Sequence, residues 1–319
     1  MREKSILGID VGGTFIKFGI VRESKTLKEF SLPTFAYENP QKIISQICLG
    51  IDQVFSQFNI NEFIGIGIGI PGKVNAEKGI VTSAPNFRNW DRVNVKNFLK
   101  KYKLPVFLDN DANCAALGEY FYGRNKKIKN FVMVTLGTGV GGGLIIDGKL
   151  FRGESGGAGE LGHITIDYNG PLCKCGKRGC IEAYAGNSYI TQRTIHKLNE
   201  FKDSLILHLV NNNLELIEPK IINQAAKLGD NLAKFILEET GFYIGIGLAS
   251  IANLLDIKTF IIGGGTSKAG KILLKAIENS IKQHGVTDIV KDIKVLPAKL
   301  KNRAGILGAA SLVLNSINS

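Results

Sequence analysis

The chain has 319 residues, 44% of them hydrophobic and 21% charged, which excludes a disordered protein and is long enough for two domains. Its formal charge of +12 raises the question of nucleic acid, but 31 Lys against 9 Arg are scattered along the chain in short clusters such as Lys126-Lys127-Ile128-Lys129. Base-reading proteins lean on Arg concentrated on one element, so a solvated Lys-rich surface and no nucleic-acid partner are expected.

MREKSILGID lacks the apolar run of a signal peptide. The most membrane-like stretch, GFYIGIGLASIANLL at 241–255, is shorter than the ~20 residues of a spanning helix, so a buried helix and no membrane partner are expected. Five cysteines without a secretory signal point to the cytoplasm, where clustered Cys means metal or redox chemistry sooner than disulfides.

The opening reads as a hairpin, strands 5–10 and 15–21 around the turn Val11-Gly12-Gly13-Thr14. Helical spacing follows over 40–58. FIGIGIGI at 63–70 suits a buried strand whose small residues let another backbone approach, and Pro71-Gly72 ends it. A short strand at 106–108 and a helix at 109–122 complete an α/β unit. Strands 131–136 and 143–146 form a second hairpin around GTGVGGG. Residues 153–186 read as an ordered loop region. Helices are expected at 189–198, 221–228, 231–255, 271–282 and 303–314, with strands at 259–262 and 295–296. The two Gly-rich hairpins suggest two similar halves facing one another.

Glycines between two strands let backbone N–H groups approach phosphate oxygens, and a hydroxyl adds a donor. Gly12, Gly13 and Thr14, with Lys17 following, fit that role, and Asp10 could organise Mg²⁺. An ordinary tight hairpin would need the Gly but not the Asp or Thr. The second run, Gly137-Thr138-Gly139-Val140-Gly141-Gly142-Gly143, matches a dinucleotide fingerprint in form. It continues into LIIDGKL, a strand, so it reads as a phosphate-binding hairpin instead. Gly265-Thr266-Ser267-Lys268-Ala269-Gly270-Lys271 imitates a Walker A loop, but Ile272 replaces its Ser or Thr. The preceding Gly263–Gly265, with Gly264 and Gly265, could bring backbone close to a nucleotide, or could be a simple turn.

Asp109-Asn110-Asp111-Ala112-Asn113 sits between a strand and a helical run. Helix capping explains one such residue, not four in five positions. A carboxylate at a helix N-terminus is favoured as the anion by the dipole, and within reach of an alcohol it can accept the proton during phosphoryl transfer. Asn110 offers both a donor and an acceptor for another hydroxyl.

His163, Cys173, Cys175 and Cys180 provide three thiolates and one imidazole in eighteen residues, the closed ligand set of a structural zinc site. Cys48 and Cys114 fall on apolar helix faces and read as core. Glu160 and Glu182 flank the cluster, where a zinc-pinned loop could aim them at a polyol; each alone would read as surface charge.

Taken together these residues resemble the ROK family (repressors, open reading frames and kinases) of the actin-like ATPase superfamily. The resemblance rests on GIDVGGT at 8–14, GIGIPG at 67–72, NDAN at 110–113, GTGVGGG at 137–143, GELGH at 159–163, CKCGKRGCIE at 173–182 and GGG at 263–265. It implies an α/β fold of two actin-like ATPase (ribonuclease H-like) domains with a cleft between them. The expected bounds are 1–115 for the small domain, completed by the C-terminal helix 303–319, and 116–302 for the larger one with the zinc-binding loop. It implies an ATP-dependent hexose kinase in which Asp111 is the catalytic base. Gly72, Asn86, Asn110, Glu160, His163 and Glu182 would bind the sugar, and His163 would also bind zinc. Asp10, Gly12, Gly13, Thr14, Lys17, Gly137, Thr138, Gly139, Gly264 and Gly265 would hold the nucleotide. The cofactors would be ATP, Mg²⁺ and structural Zn²⁺, and the assembly a homodimer or tetramer.

APNFRNW at 84–90 looks like the glucokinase-type segment, so glucose leads. N-acetylmannosamine, N-acetylglucosamine, fructose and allose are the alternatives. A sugar-responsive repressor is the distant rival; it is not expected, since its helix-turn-helix would have to precede Gly8 and only seven residues do.

Overall fold

A computed structural model describes residues 4–23, 25–84, 87–123 and 128–317. The elements run β1 (Ser5–Val11), β2 (Phe15–Arg22), β3 (Lys25–Pro33), α1 (Pro40–Phe55), β4 (Phe63–Ile70), β5 (Lys73–Asn75), β6 (Ile80–Ser83), β7 (Asp91–Asn94), α2 (Val95–Phe98), β8 (Val106–Asn110) and α3 (Asp111–Tyr122). The chain continues through β9 (Phe131–Leu136), β10 (Val140–Ile146), β11 (Lys149–Phe151), α4 (Glu182–Ala185), α5 (Asn187–Lys197), α6 (Leu205–Leu209), α7 (Pro219–Lys227) and α8 (Asn231–Leu255). It ends with β12 (Thr259–Gly264), α9 (Lys271–His284), α10 (Thr287–Val290), β13 (Lys294–Pro297) and α11 (Ala304–Ile317).

Among the described residues two five-stranded sheets share one plan. The first has the order β3-β2-β1-β4-β8 and the second β11-β10-β9-β12-β13. In each, an antiparallel hairpin leads to strands that pair in parallel, β1 with β4 and β4 with β8, β9 with β12 and β12 with β13. The similar halves expected from the glycine hairpins are therefore present as a repeated topology. A small antiparallel sheet, β5-β6-β7, is inserted after β4.

The chain forms two compact units, residues 1–129, 143–159 and 299–319 in the first, and 130–142 and 160–298 in the second. The expected boundary at 115/116 would cut α3, a continuous helix that stays whole in the first unit.

In the first unit α11 lies against the sheet at its glycines. A Cβ on Gly67 would stand 1.9 Å from the Ala309 carbonyl oxygen, and one on Gly8 2.4 Å from that of Ile306. This is the close backbone approach the Ile–Gly alternation predicts. Phe18 under Gly50 of α1, stacked on Phe30 of β3, fills the other face. In the second unit α8 packs along α9, with Gly241 and Gly245 meeting the Leu273 and Ile277 carbonyls. By length and hydropathy α8 could cross a membrane, but 61% of its most apolar window is buried inside the protein, which marks a core helix.

Many boundaries differ from the sequence reading by one to three residues, among them the end of the last helix at Ile317 rather than 314. The first helix stops at Phe55, not 58. Asp109 is not helical: β8 runs to Asn110, paired with β4 as far as Ile70. β10 starts at Val140, three residues earlier than expected, because Val140 to Gly142 are already extended.

Candidate active site

In the first unit the β1–β2 turn is a fixed cradle. The Gly12 N–H donates to Phe15 O at 3.0 Å, and the Thr34 hydroxyl donates to Gly12 O at 2.7 Å. Gly13 and Thr14 are exposed, and a Cβ on Gly13 would meet nothing within 4 Å. Asp10 closes β1 against the first turn of α11: a Cβ on Gly305 would stand 2.1 Å from its Oδ2. Lys17 Nζ lies 3.7 Å from the same oxygen. Burial raises the Asp10 carboxyl above the usual carboxylate range, and Lys17 only partly opposes it.

The Asp-Asn-Asp-Ala-Asn run divides by partner. Asp109 is buried, with Oδ1 accepting from the Asn110 N–H and from Asn113 Nδ2, both at 2.8 Å, and Oδ2 from Arg152 Nε at 2.7 Å. Asn110 is the N-cap of α3: its Oδ1 accepts from the Ala112 N–H at 2.8 Å and the Asn113 N–H at 3.4 Å. Its Nδ2 donates to Gly72 O at 2.9 Å, and Gly72 holds a φ of 106° that suits only glycine. Capping, set against a sugar role in the sequence, is thus real for Asn110, and one amide proton is left over. Asp111 is the first residue of α3 and is exposed, with Oδ1 accepting its neighbour's Ala112 N–H at 2.9 Å. Asn86 lies outside the described residues.

In the second unit the two other Gly-rich segments end neighbouring parallel strands. β9 pairs β12 with Leu136 opposite Gly264, so Gly137–Gly139 and Gly264–Gly265 emerge side by side. Thr138 and Gly265 are exposed. Asn187 ties the segments together, its N–H donating to Gly137 O at 3.0 Å and its Oδ1 accepting from the Thr266 hydroxyl at 3.0 Å. Neither the Rossmann nor the Walker form is present: a strand follows the first run, and the 265–271 segment turns as a short 3-10 helix before Gly270.

His163, Cys173, Cys175 and Cys180 converge, with one ligand atom from each lying within 4.8 Å of all the others. His163 Nδ1 is 3.7 Å from Cys173 Sγ, and Cys175 Sγ is 3.7 Å from Cys180 Sγ. Four ligands at tetrahedral angles about 2.1–2.3 Å from one ion stand roughly 3.6–3.8 Å apart, so the set fits zinc. The backbone shapes the knuckle: Gly176 N–H donates to Cys173 O at 2.9 Å, and a Cβ on Gly179 would overlap Asp167 O. Without a cation, burial raises the Cys173 thiol and pushes Cys180 up to about 12, while the Lys177 N–H lowers exposed Cys175. A bound dication offsets that desolvation of the thiolates.

The opposite edge of the imidazole, Nε2, lies 4.0 Å from Glu160 Oε2. Glu182 starts α4, and its Oε2 accepts from the Val140 N–H at 3.0 Å. A Cβ on Gly139 would stand 2.3 Å from that oxygen, so a larger residue there would displace the Glu182 carboxylate. The structure therefore brings Glu160, His163 and Glu182 around one cluster and joins Glu182 to the Gly137–Gly139 turn. Arg152 and Asn187 do not stand out in the sequence. Each contacts a partner 43 or 79 positions away, and no local pattern marks such a pair.

Residues 6–316 match the model of the ROK family. The chain is 35% identical to the glucokinase of Halalkalibacterium halodurans over all of this chain and 98% of that protein. It is 32% identical to the xylose repressor of Bacillus subtilis over 97% of this chain and 77% of that one. A crystal structure of a ROK family glucokinase from Streptomyces griseus in complex with glucose and AMPPNP is similar, with a TM-score of 0.83, 35% identity, and 97% of this chain and 98% of that one covered.

Proposed function

The chain belongs to the ROK family, and we propose that it is an ATP-dependent glucose kinase that transfers the γ-phosphate to the sugar 6-hydroxyl. The full-length likeness to glucokinases and to a glucokinase holding glucose and an ATP analogue supports the reaction. The observation that carries the assignment of the base is the unequal exposure of the Asp-Asn-Asp-Ala-Asn run. Asp109 and Asn113 are buried and paired with each other, whereas Asp111 alone of the two carboxylates is presented to solvent at the start of α3.

In this reading Asp111 accepts the proton of the sugar hydroxyl as the oxygen attacks phosphorus in line with the leaving ADP. Asn110 and the Gly72 turn set the height of that base. Glu160, His163 Nε2 and Glu182 take the other sugar hydroxyls. The exposed turns at Gly12–Thr14, Gly137–Gly139 and Gly264–Gly265 receive the nucleotide by backbone N–H groups, with Lys17 beside them. Asp10 would be the carboxylate that holds Mg²⁺ brought in with ATP, and the ion would supply charge neutralisation at the phosphates. His163 Nδ1, Cys173, Cys175 and Cys180 would hold zinc as a closed, structural set that leaves no position for substrate. The two compact units serve as the two domains. Five free cysteines suit a reducing cytoplasm.

A coupled ADP-release assay over a hexose panel tests this. Glucose should give the highest kcat/KM, with one glucose 6-phosphate per ADP. A preference for N-acetylmannosamine or fructose would replace the substrate, and the absence of any sugar-dependent ADP release would leave a sugar-binding protein of the repressor type. Asp111→Asn should lower kcat by about 10²–10⁴-fold, the usual worth of a positioned base. Near-wild-type turnover in that variant removes Asp111 from the role.

A further inference from the structure

Arg152 follows β11 and reaches back to the end of β8. Its Nε donates to Asp109 Oδ2 at 2.7 Å, and the Asp109 side chain is 3% exposed against 32% for Arg152. Asp109 Oδ1 is already shared between the Asn110 N–H and Asn113 Nδ2. Asn110 in turn caps α3 and donates to Gly72 O. A continuous set of bonds thus runs from Arg152 through Asp109 and Asn110 to Gly72, and Asp111 is strung between Asn110 and Ala112 within it. The Arg152 main chain is also held, with its C=O accepting from the Ala158 N–H at 3.0 Å.

We infer that Arg152 is a positioning residue for phosphoryl transfer: it balances the buried Asp109 charge and so fixes the Asn110–Asp111 corner that carries the base. The inference rests on the reading of Asp111 as that base. Arg152 is the cation bonded to Asp109 among the described residues. Without it a carboxylate stays buried and unbalanced two residues from Asp111. It must then rotate towards water, and both the Asn110 amide and the first turn of α3 are bonded to it. A shift of about 1 Å in a reacting group is enough to cost roughly 10²-fold in rate.

The test compares Arg152→Met, Arg152→Lys and the double variant Asp109→Asn/Arg152→Met. Each is read for kcat per folded molecule, KM for ATP and melting temperature. The Asp109→Asn change keeps the Oδ1 acceptor for Asn110 and Asn113 while discarding the charge. Arg152→Met should lose about 10- to 100-fold in kcat with KM for ATP changed less than about twofold. The double variant should recover at least about tenfold of that loss, because the unbalanced charge is gone. Lys keeps the charge but not the fork, so Arg152→Lys should lose about five- to tenfold in kcat. It is the variant to read if Arg152→Met does not fold.

Wild-type kcat per folded Arg152→Met molecule, or wild-type kcat in Arg152→Lys, overturns the inference and leaves a structural ion pair. A loss in Arg152→Met that the double variant fails to recover overturns it as well, since Arg152 would then not act through Asp109. Asp111→Asn, run in parallel, separates the two readings. If it is inactive while Arg152→Met is not, only the positioning role falls; if it is active, the base assignment falls first.

Discussion

The Glu182 carboxylate accepts the Val140 N–H at 3.0 Å, and its second oxygen lies 3.8 Å from Cys173 Sγ. One side chain thus joins the Cys₃His cluster to the turn that follows β9. Hydrogen bonds to a carboxylate are the stronger kind, and their loss is felt at both ends. Glu182→Gln should therefore raise KM for glucose and KM for ATP together, each by about tenfold, the lower end for a bond to a charged group. Separate titrations of the two substrates check this. A rise for glucose with an unchanged KM for ATP would cut the link between the cluster and the turn.

Metal removal should act in the same direction. Zinc in a closed Cys₃His set contributes folding energy outright. The purified protein should contain about one zinc per chain by elemental analysis. Stripping it should lower the melting temperature by roughly 5 °C or more and raise KM for glucose, since His163 and Glu182 lose their common support. Cys180→Ser should be worse than Cys175→Ser, because Cys180 is buried and Cys175 exposed. A metal-free preparation with unchanged glucose affinity would make the zinc incidental to the site.

Much of this is legible in the residues themselves. The Ile–Gly alternation of β4 announces a backbone pressed against it, and α11 is that backbone. The helix at 231–255 and the two glycine hairpins follow from periodicity and glycine alone, although the second turn reads as 137–142 and is in fact three residues shorter, since β10 begins at Val140. Other elements carry no such signal. β3, KTLKEFSLP, is an exposed edge strand, and β5 to β7 are three or four residues long, too short to show alternation. Asp109 reads as helical because a capping residue and a strand-end residue look the same until the β4–β8 register is known. The contacts that organise the site, Arg152 with Asp109, Glu182 with Val140 and Asn187 with Thr266, are set by topology and span 43, 42 and 79 positions.

Glu119 gives a pH-dependent stability. It is fully buried in α3, with Oε1 accepting from the Lys299 and Leu300 N–H groups at 2.7 and 2.9 Å, and Oε2 has no hydrogen-bond partner among the described residues. Burial raises its carboxyl above the ordinary glutamate value despite those two donors. The folded state then binds the proton more tightly than the unfolded chain, so this residue's contribution falls as pH rises from the ordinary value through the raised one. Glu119→Gln removes that dependence. Its stability relative to wild type should rise from acid to neutral pH, as read by urea unfolding at both ends of the window. A difference that does not change with pH would mean the carboxyl titrates normally.

Two glycines separate packing from binding. At Gly67 a Cβ would stand 1.9 Å from a backbone oxygen of α11, and a carbonyl cannot rotate away as a side chain can. Gly67→Ala must push the helix off the sheet, an overpacking cost of about 1–3 kcal/mol, and should lower the melting temperature by several degrees. At Gly13 a Cβ would meet nothing within 4 Å, and its φ needs no glycine. Packing therefore gives no reason for Gly13. If the turn receives phosphate through its N–H groups, the methyl stands where the oxygens approach. Gly13→Ala should leave the melting temperature within about 1 °C, as surface changes usually do, while KM for ATP rises about tenfold. Thermal melting and ATP titration of the two variants should therefore give opposite patterns. A Gly13→Ala enzyme with unchanged KM for ATP would return the β1–β2 turn to an ordinary hairpin.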